Sequence, residues 1–455
     1  AVTMPFWRRL TVRRLWLVAP FAGVLIGSAK PIRDNSFLWH VRAGSVQLQS
    51  GEVLRTDPFS FTMAGAPWRT QSWLLELGYG LLERWTGDLA WVPGLLMLAG
   101  SLTIVAALLA VYGEVRRPLP TALIGLGLVW LGLPFLVPRP VLISSLLLAL
   151  LVLALQRRML WAVPLVIWVW AAVHGSFVIG LGLVALVWAR NGGGPRQWAR
   201  TLGSAVLVSF ATAHGWHIWR VVLDFAGNRD ALSFIQEWAP PRLTEIPALP
   251  YAALIGLLFL GAARGRIGRR DLWVVVPFVL FGLTAERALF PAALVLVPWA
   301  GRAWGDGDQP AGITGLAPRA QACLNWAMLA TLGIATVAVL SDARDIDRTR
   351  FPLAAVTALR PGPLFHDDRV GGYLIYAAWP ERRVFVDDRA ELYGGDFYRR
   401  FMDARQGRHE WQGLFESYGI EQALVREEEA LVELLALNGW QEAYRDADYV
   451  LLRSP

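Results

Sequence analysis

The chain has 455 residues, of which 55% are hydrophobic and 17% charged, with a formal net charge of +7. Soluble domains carry about 25% charged residues and one membrane span takes roughly 20 apolar ones, so an ordinary soluble globule is excluded. The long unbroken apolar runs exclude a transmembrane barrel of alternating strands, and the single Cys323 excludes a disulfide framework or a cysteine-based metal site.

Apolar runs bounded by charge clusters mark the spans. The first covers Leu15–Ala29 behind Arg8, Arg9, Arg13 and Arg14; without a small-residue cleavage pattern it reads as an anchor rather than a signal peptide. A polar stretch follows from Lys30 to Thr70. Gln71–Trp85 carries Glu76, Glu83 and Arg84 and reads as an amphipathic helix lying in the interface, with a spanning helix as the alternative. Further runs near 89–112, 119–137, 140–155, 159–174, 176–189, 199–213, 250–263, 272–284, 288–300 and 322–340 bring the spans to about eleven.

With the N-terminus cytoplasmic, every short basic cluster falls on the inner side: Arg116–Arg117, Arg157–Arg158, Arg190–Arg200, Arg264–Arg270, and Arg302 with Arg319. The outer connections are then 30–85, the turns at Arg139 and His174, the loop 214–249, the pair Glu286–Arg287 and everything after Ser341. Up to Ser341 there are 28 basic and 15 acidic residues; beyond it, 15 arginines face 21 acids. The net charge therefore reports orientation and gives no warrant for nucleic-acid binding. This is the pattern of a multi-pass plasma (inner) membrane protein.

Composition shifts near Ser341, dividing the chain into a bundle, 1–341, with a long first outer loop at 30–85, and a soluble extracytoplasmic α/β domain, 342–455. There RRVFVDDR (382–389), QALVRE (422–427) and DYVLLR (448–453) are predicted strands. The segments 393–407, 410–419 and 428–440 are predicted helices, the last closed by Gly439. The only low-complexity feature is a Gly-rich inner loop at Gly192–Gly194.

Polar residues at the outer span ends are the candidates for chemistry. Asp34, just past the first span, is placed to take a proton from an acceptor hydroxyl at the water edge of the bilayer, or simply to cap the helix that follows. Asp57 precedes Pro58, as a second acid or a turn residue. His40, His174 and His214 are substrate-binding candidates, with interfacial packing as the plain alternative. His214 and His217 could share a helix face, but no third ligand lies in register, so no metal site is assigned. Glu237 lies beside Trp238, and Arg287 beside Glu286. Arg287 and Arg139 suit a phosphate clamp, because guanidinium is always charged and binds bidentately; ion pairs are the competing reading. Asp387, Asp388 and Arg389 are candidates for acceptor recognition, or a strand-end turn.

The phrases DNSFLWHVRAG, TDPFSFTMAGAPWRTQSWLLE, VHGSF, HGWHIW, QEWAPP, ERALF, GGYLIYAAWP and VFVDDRAELYG resemble a group of bacterial membrane proteins related to the C-type (GT-C) glycosyltransferase superfamily. The resemblance runs from Arg33 to about Gly394 and is most specific in the TDPFSFT segment. It implies a mainly α, polytopic membrane bundle with a small outer α/β domain, acting on a polyprenyl-phosphate-linked sugar. The family's acid after the first span falls on Asp34 as general base, and Asp57 becomes the second acid of the loop. Relatives often show an acid two residues after the first, where this chain has Ser36. That departure favours a metal-independent transfer without cofactor. The rival reading is a non-catalytic subunit that uses the bundle as a scaffold within a larger membrane complex. A transporter would show Gly/Pro-broken spans repeated between halves, which this sequence lacks.

Overall fold

The computed structural model describes residues 15–192, 196–227, 236–305, 318–341, 346–408 and 411–455. The basic flank Arg8–Arg14, Gly193–Gly194, Asp342 and Glu410 lie outside these residues. In chain order the helices are α1 (Ala19–Ser28), α2 (Asn35–Ser50), α3 (Trp73–Thr86), α4 (Val92–Val115), α5 (Pro118–Gly132), α6 (Pro140–Gln156) and α7 (Ala162–Val173). There follow α8 (Phe177–Arg190), α9 (Arg196–Ser209), α10 (His217–Gly227), α11 (Leu249–Ala263), α12 (Leu272–Gly282), α13 (Leu289–Trp304) and α14 (Pro318–Ser341). The C-terminal part holds α15 (Leu353–Thr357), β1 (Leu364–His366), α16 (Asp368–Ala378), α17 (Ala390–Arg405), α18 (Trp411–Tyr418), β2 (Gln422–Arg426), α19 (Ala430–Leu437), β3 (Gln441–Arg445) and β4 (Tyr449–Arg453).

Two compact units form. The first contains Ala1–Lys30, Ala90–Gly215 and Gln236–Ala343; the second contains Pro31–Leu89, Trp216–Ile235 and Arg344–Pro455.

The first unit is a helical membrane bundle, and each of the eleven apolar runs is a helix. By length and composition Val92–Val115, Pro118–Phe135, Ile246–Ala263 and Ala322–Ser341 can each cross a bilayer; five further apolar helices are shorter. Helix α9 opens on Arg196, Gln197 and Arg200 and is polar on one side, so it falls outside both groups. Prolines near the first turns of α4, α5 and α6 occupy positions whose N–H needs no helical partner. Helix α13 is buried along nearly its whole length, from Leu289 to Gly301, which makes it the centre of the bundle.

In the second unit α2 and α3 cross at a glycine contact. A Cβ on Gly44 would lie 1.8 Å from the Glu76 carbonyl oxygen, and one on Gly80 would lie 2.5 Å from the Gly44 carbonyl carbon. The four-stranded sheet has order β1-β2-β4-β3, with β1 parallel to β2 and the other pairs antiparallel. Phe365, Phe385, Phe401 and Phe415 fill the core on one side. A second core joins Trp39, Phe59 and Trp68 to Leu364, Leu374, Ile375 and Val384. The first loop thus shares a hydrophobic core with the C-terminal part, where the sequence grouped 30–85 with the bundle. Arg33 and Asp347 pair at 2.5 Å, and Ile32 bridges Ile346, fastening the starts of the two segments together.

RRVFVDDR differs from its predicted strand: only Val384 makes a bridge, to Ser60. The segment is held instead by the loop, with Phe61 N–H donating to Val384 O at 3.0 Å and Val384 N–H to Phe59 O at 2.9 Å. Phe385 N–H donates to His366 Nε2 at 3.0 Å. The predicted strands in 422–427 and 448–453 form as β2 and β4. Strand β1 went unpredicted because it has three residues, and β3 because it is a largely exposed polar edge.

Candidate functional site

Polar groups of the second unit gather around the first turn of α2. Asp34 is its N-cap: Oδ1 accepts the Phe37 N–H at 2.8 Å, satisfying an otherwise orphaned donor. The residue remains half-buried. Tyr79, fully buried on α3, has a phenol pushed well above its ordinary range by burial first and then by the negative charges of Asp34 and Glu76. It therefore stays protonated near Asp34. Two residues past Asp34, Ser36 donates to an oxygen of Asp388, whose other oxygen accepts the Trp39 indole N–H at 2.8 Å. An acid delivered from far along the chain thus lies against Ser36.

Asp388 belongs to one of two F-x-D-D-R sequences, 365–369 and 385–389. In each the first Asp is buried and held by arginine. Asp367 meets Arg405 at 3.2 Å, and Asp387 is gripped by Arg389 at 2.8 and 2.6 Å. The second Asp of each stays partly open. Asp368 has its pKa raised well above the carboxylate range by burial, then by its hydrogen bond and charge repulsion with Asp367, with Asp388 adding to it. Burial opposes ionisation of Asp367, but the hydrogen bond from Asp368 and the charge of Arg405 hold it low. The repeated motif was the available signal for this constellation. Gly371 and Gly372 let it close: a Cβ would lie 2.2 Å from Val386 O on the first and 2.1 Å from Asn35 O on the second.

Asp57 is placed elsewhere, fully buried, and its oxygens accept from Phe59 N–H, Ser60 N–H, Ser60 Oγ–H and Arg389 Nη1–H. Arg389 is itself fully buried and lies 4.5 Å from the centre of the Trp68 ring. Asp57, Asp387 and Arg389 are therefore a packing device joining the loop to the C-terminal part; Asp387 and Arg389 are sealed in, which removes them from acceptor recognition. His40 is likewise buried. Its Nδ1 lies 2.7 Å from Glu76 Oε1, and Glu76, fully buried, also accepts from Thr70 and from Gln47 at 2.8 Å. This ties α2 to α3 and leaves the imidazole little access to a substrate.

The first unit holds the other candidates. Arg287 lies with its guanidinium 4.5 Å from the Trp238 ring centre and 3.9 Å from Glu237, a long ion pair. The charge of Arg139 acts on it as well. Glu286 N–H donates to Ala239 O at 2.9 Å, docking the segment of Glu237 and Trp238 against that of Arg287. His174 ends α7, and its Nδ1 accepts both the Ser176 N–H at 3.1 Å and the Ser176 hydroxyl at 2.8 Å. That fixes Nε2 as the protonated nitrogen when the ring is neutral. His214 is buried, and His217, in the second unit, stacks on Trp216 at 4.0 Å. Among the described residues no three His, Cys, Asp or Glu side chains converge as metal ligands.

No family model and no curated protein matches the chain in sequence. Among solved structures it is similar to ArnT from Cupriavidus metallidurans bound to undecaprenyl phosphate. The TM-score is 0.51 and the identity 16%, over 96% of this chain and 97% of that one. The apo state of ArnT gives a TM-score of 0.53 and 14% identity over the same shares. The chain thus shares the fold of ArnT, a polytopic helical membrane bundle with a C-terminal domain.

Proposed function

We propose that the chain is a membrane glycosyltransferase that moves a sugar from a polyprenyl-phosphate donor to an acceptor hydroxyl. The observation that carries this reading is the end-to-end likeness to ArnT, one structure of which is bound to undecaprenyl phosphate. Asp34 takes the acceptor proton as the hydroxyl oxygen bonds to the anomeric carbon. The bond from that carbon to the phosphate oxygen breaks, polyprenyl phosphate leaves, and configuration inverts. Arg287 and Arg139, in the first unit, are the groups suited by charge to a phosphate. Asp57 and His40 act through packing. In this reading the N-terminus is cytoplasmic and the chemistry lies at the outer face of the inner membrane, with the C-terminal part recognising the acceptor.

Asp34→Asn is the test, because Asn caps a helix as well as Asp but cannot act as the base. A general base contributes about 10²–10⁴-fold, so transfer from a purified polyprenyl-phosphate sugar should fall by that order with unfolding unchanged. Wild-type turnover in this variant would remove Asp34 from the role. The scaffold reading predicts no turnover by the wild-type chain and no polyprenyl phosphate in the copurifying lipid.

A further inference from the structure

We propose that the basic end of the bundle carries a binding site for the phosphodiester headgroup of a membrane lipid, in a cavity framed by α4, α6, α8, α9 and α13. The proposal does not rest on glycosyl transfer. The cavity measures about 180 Å³ and is lined by Glu114, Gln156, Arg158, Arg190, Trp198 and Arg302 among others. An engineered cavity of about 150 Å³ already admits benzene, so a phosphodiester fits.

The charges of the wall leave a surplus. Arg302 reaches Glu114 at 3.1 Å and Asp271 at 3.2 Å, and Arg190 holds Asp271 at 2.8 Å. Gln156 Nε2–H donates to Glu114 at 2.9 Å, and the Trp299 indole N–H to Asp271 at 3.0 Å. Two acids are thus neutralised by two arginines. Arg158 remains, exposed, on a left-handed backbone with φ 57°, and makes no ion pair among the described residues. Trp198 lines the same wall and brings an indole N–H. One uncompensated positive charge matches a phosphodiester, with its single negative charge, better than a phosphomonoester near −2.

The lining also changes with depth. Val152 and Leu155 precede Gln156 on α6, Leu183 and Val187 precede Arg190 on α8, and Val295 precedes Arg302 on α13. Polar groups therefore rim the helix ends while apolar ones continue inward, as a headgroup with its glycerol and chains requires. Arg139, His174 and Arg287 lie at the opposite ends of α6, α8 and α13. At about 1.5 Å per residue, the 17 residues of α6 separate the two places by some 25 Å, so this is not the donor-phosphate position.

Native mass spectrometry of the full chain in detergent, titrated with phosphatidylglycerol, tests the site. The wild type should retain one lipid that Arg158→Gln binds roughly fivefold more weakly, as befits one partly solvated charge pair. Arg158→Lys should keep the lipid, and Trp198→Phe, which preserves packing, should also weaken it. Equal retention by Arg158→Gln, or equal binding of diacylglycerol with the same chains, would overturn the proposal. Displacement of the lipid by equimolar glycerophosphoglycerol, the headgroup without chains, would overturn the lipid assignment by marking a soluble-anion site.

Discussion

Replacing Asp57 by Asn separates a packing role from a chemical one. The carboxylate sits among four donors, with Phe59 N–H and Arg389 Nη1–H on one oxygen and both Ser60 groups on the other. An amide keeps one acceptor oxygen and turns an NH₂ toward the other pair, so at least one fixed N–H loses its partner. Breaking a buried ion pair by removing one member costs about 3–5 kcal/mol. Arg389 keeps both bonds to Asp387, which puts the cost at the lower end, about 3 kcal/mol, or a factor of roughly 150 in the folding equilibrium. For a unit of roughly 150–250 residues that lowers the unfolding midpoint by about 6–12 °C. Thermal unfolding of the full chain in detergent, followed by tryptophan fluorescence, reads it, since Trp39 and Trp68 lie within 5.7 and 4.5 Å of the Arg389 guanidinium. Asp34→Asn should unfold within a few tenths of a kcal/mol of wild type, as an equivalent cap. An Asp57→Asn protein that unfolds like wild type yet has lost transfer would refute the reasoning and return Asp57 to the chemistry.

His366 gives a pH signature: buried and accepting the Phe385 N–H at Nε2, it has its pKa lowered from 6.5 to about 4 by burial. The unfolded chain binds the proton first, so stability is full above pH 6.5, falls by about 3 kcal/mol between 6.5 and 4, and is flat for this group below that. His366→Gln should flatten that slope in unfolding measured against pH. Gly44→Ala should force α2 and α3 apart, costing about 1–3 kcal/mol or more, read as a lowered unfolding midpoint. Arg287→Gln should reduce transfer by about 10²–10³-fold if the arginine meets charge that develops only in the transition state, with Arg287→Lys recovering part of it; unchanged kinetics would remove it from the site.

The eleven described helices of the bundle were legible because each needs only a local property, a run of apolar residues between charges, and residues 15–29 and 89–341 hold such runs in plain order. The cap at Asp34 and the closure at Gly439 were legible for the same reason. What the sequence left open depends on residues hundreds of positions apart. Asp57 has one description until Arg389 arrives beside it; a carboxylate facing four donors is a structural element, whereas the same residue in a solvated turn could be an acid. His40 met Glu76 through a helix crossing that only the paired glycines permit. The first loop joined the C-terminal part because Trp39, Phe59 and Trp68 needed a core that their own segment is too short to supply. Ser36 looked like a missing acid, and tertiary structure set Asp388 against it. Periodicity and composition report what one segment requires of its surroundings; which distant segment meets the requirement is decided by packing, and packing alone separated the sealed carboxylates Asp57 and Asp387 from the half-buried Asp34.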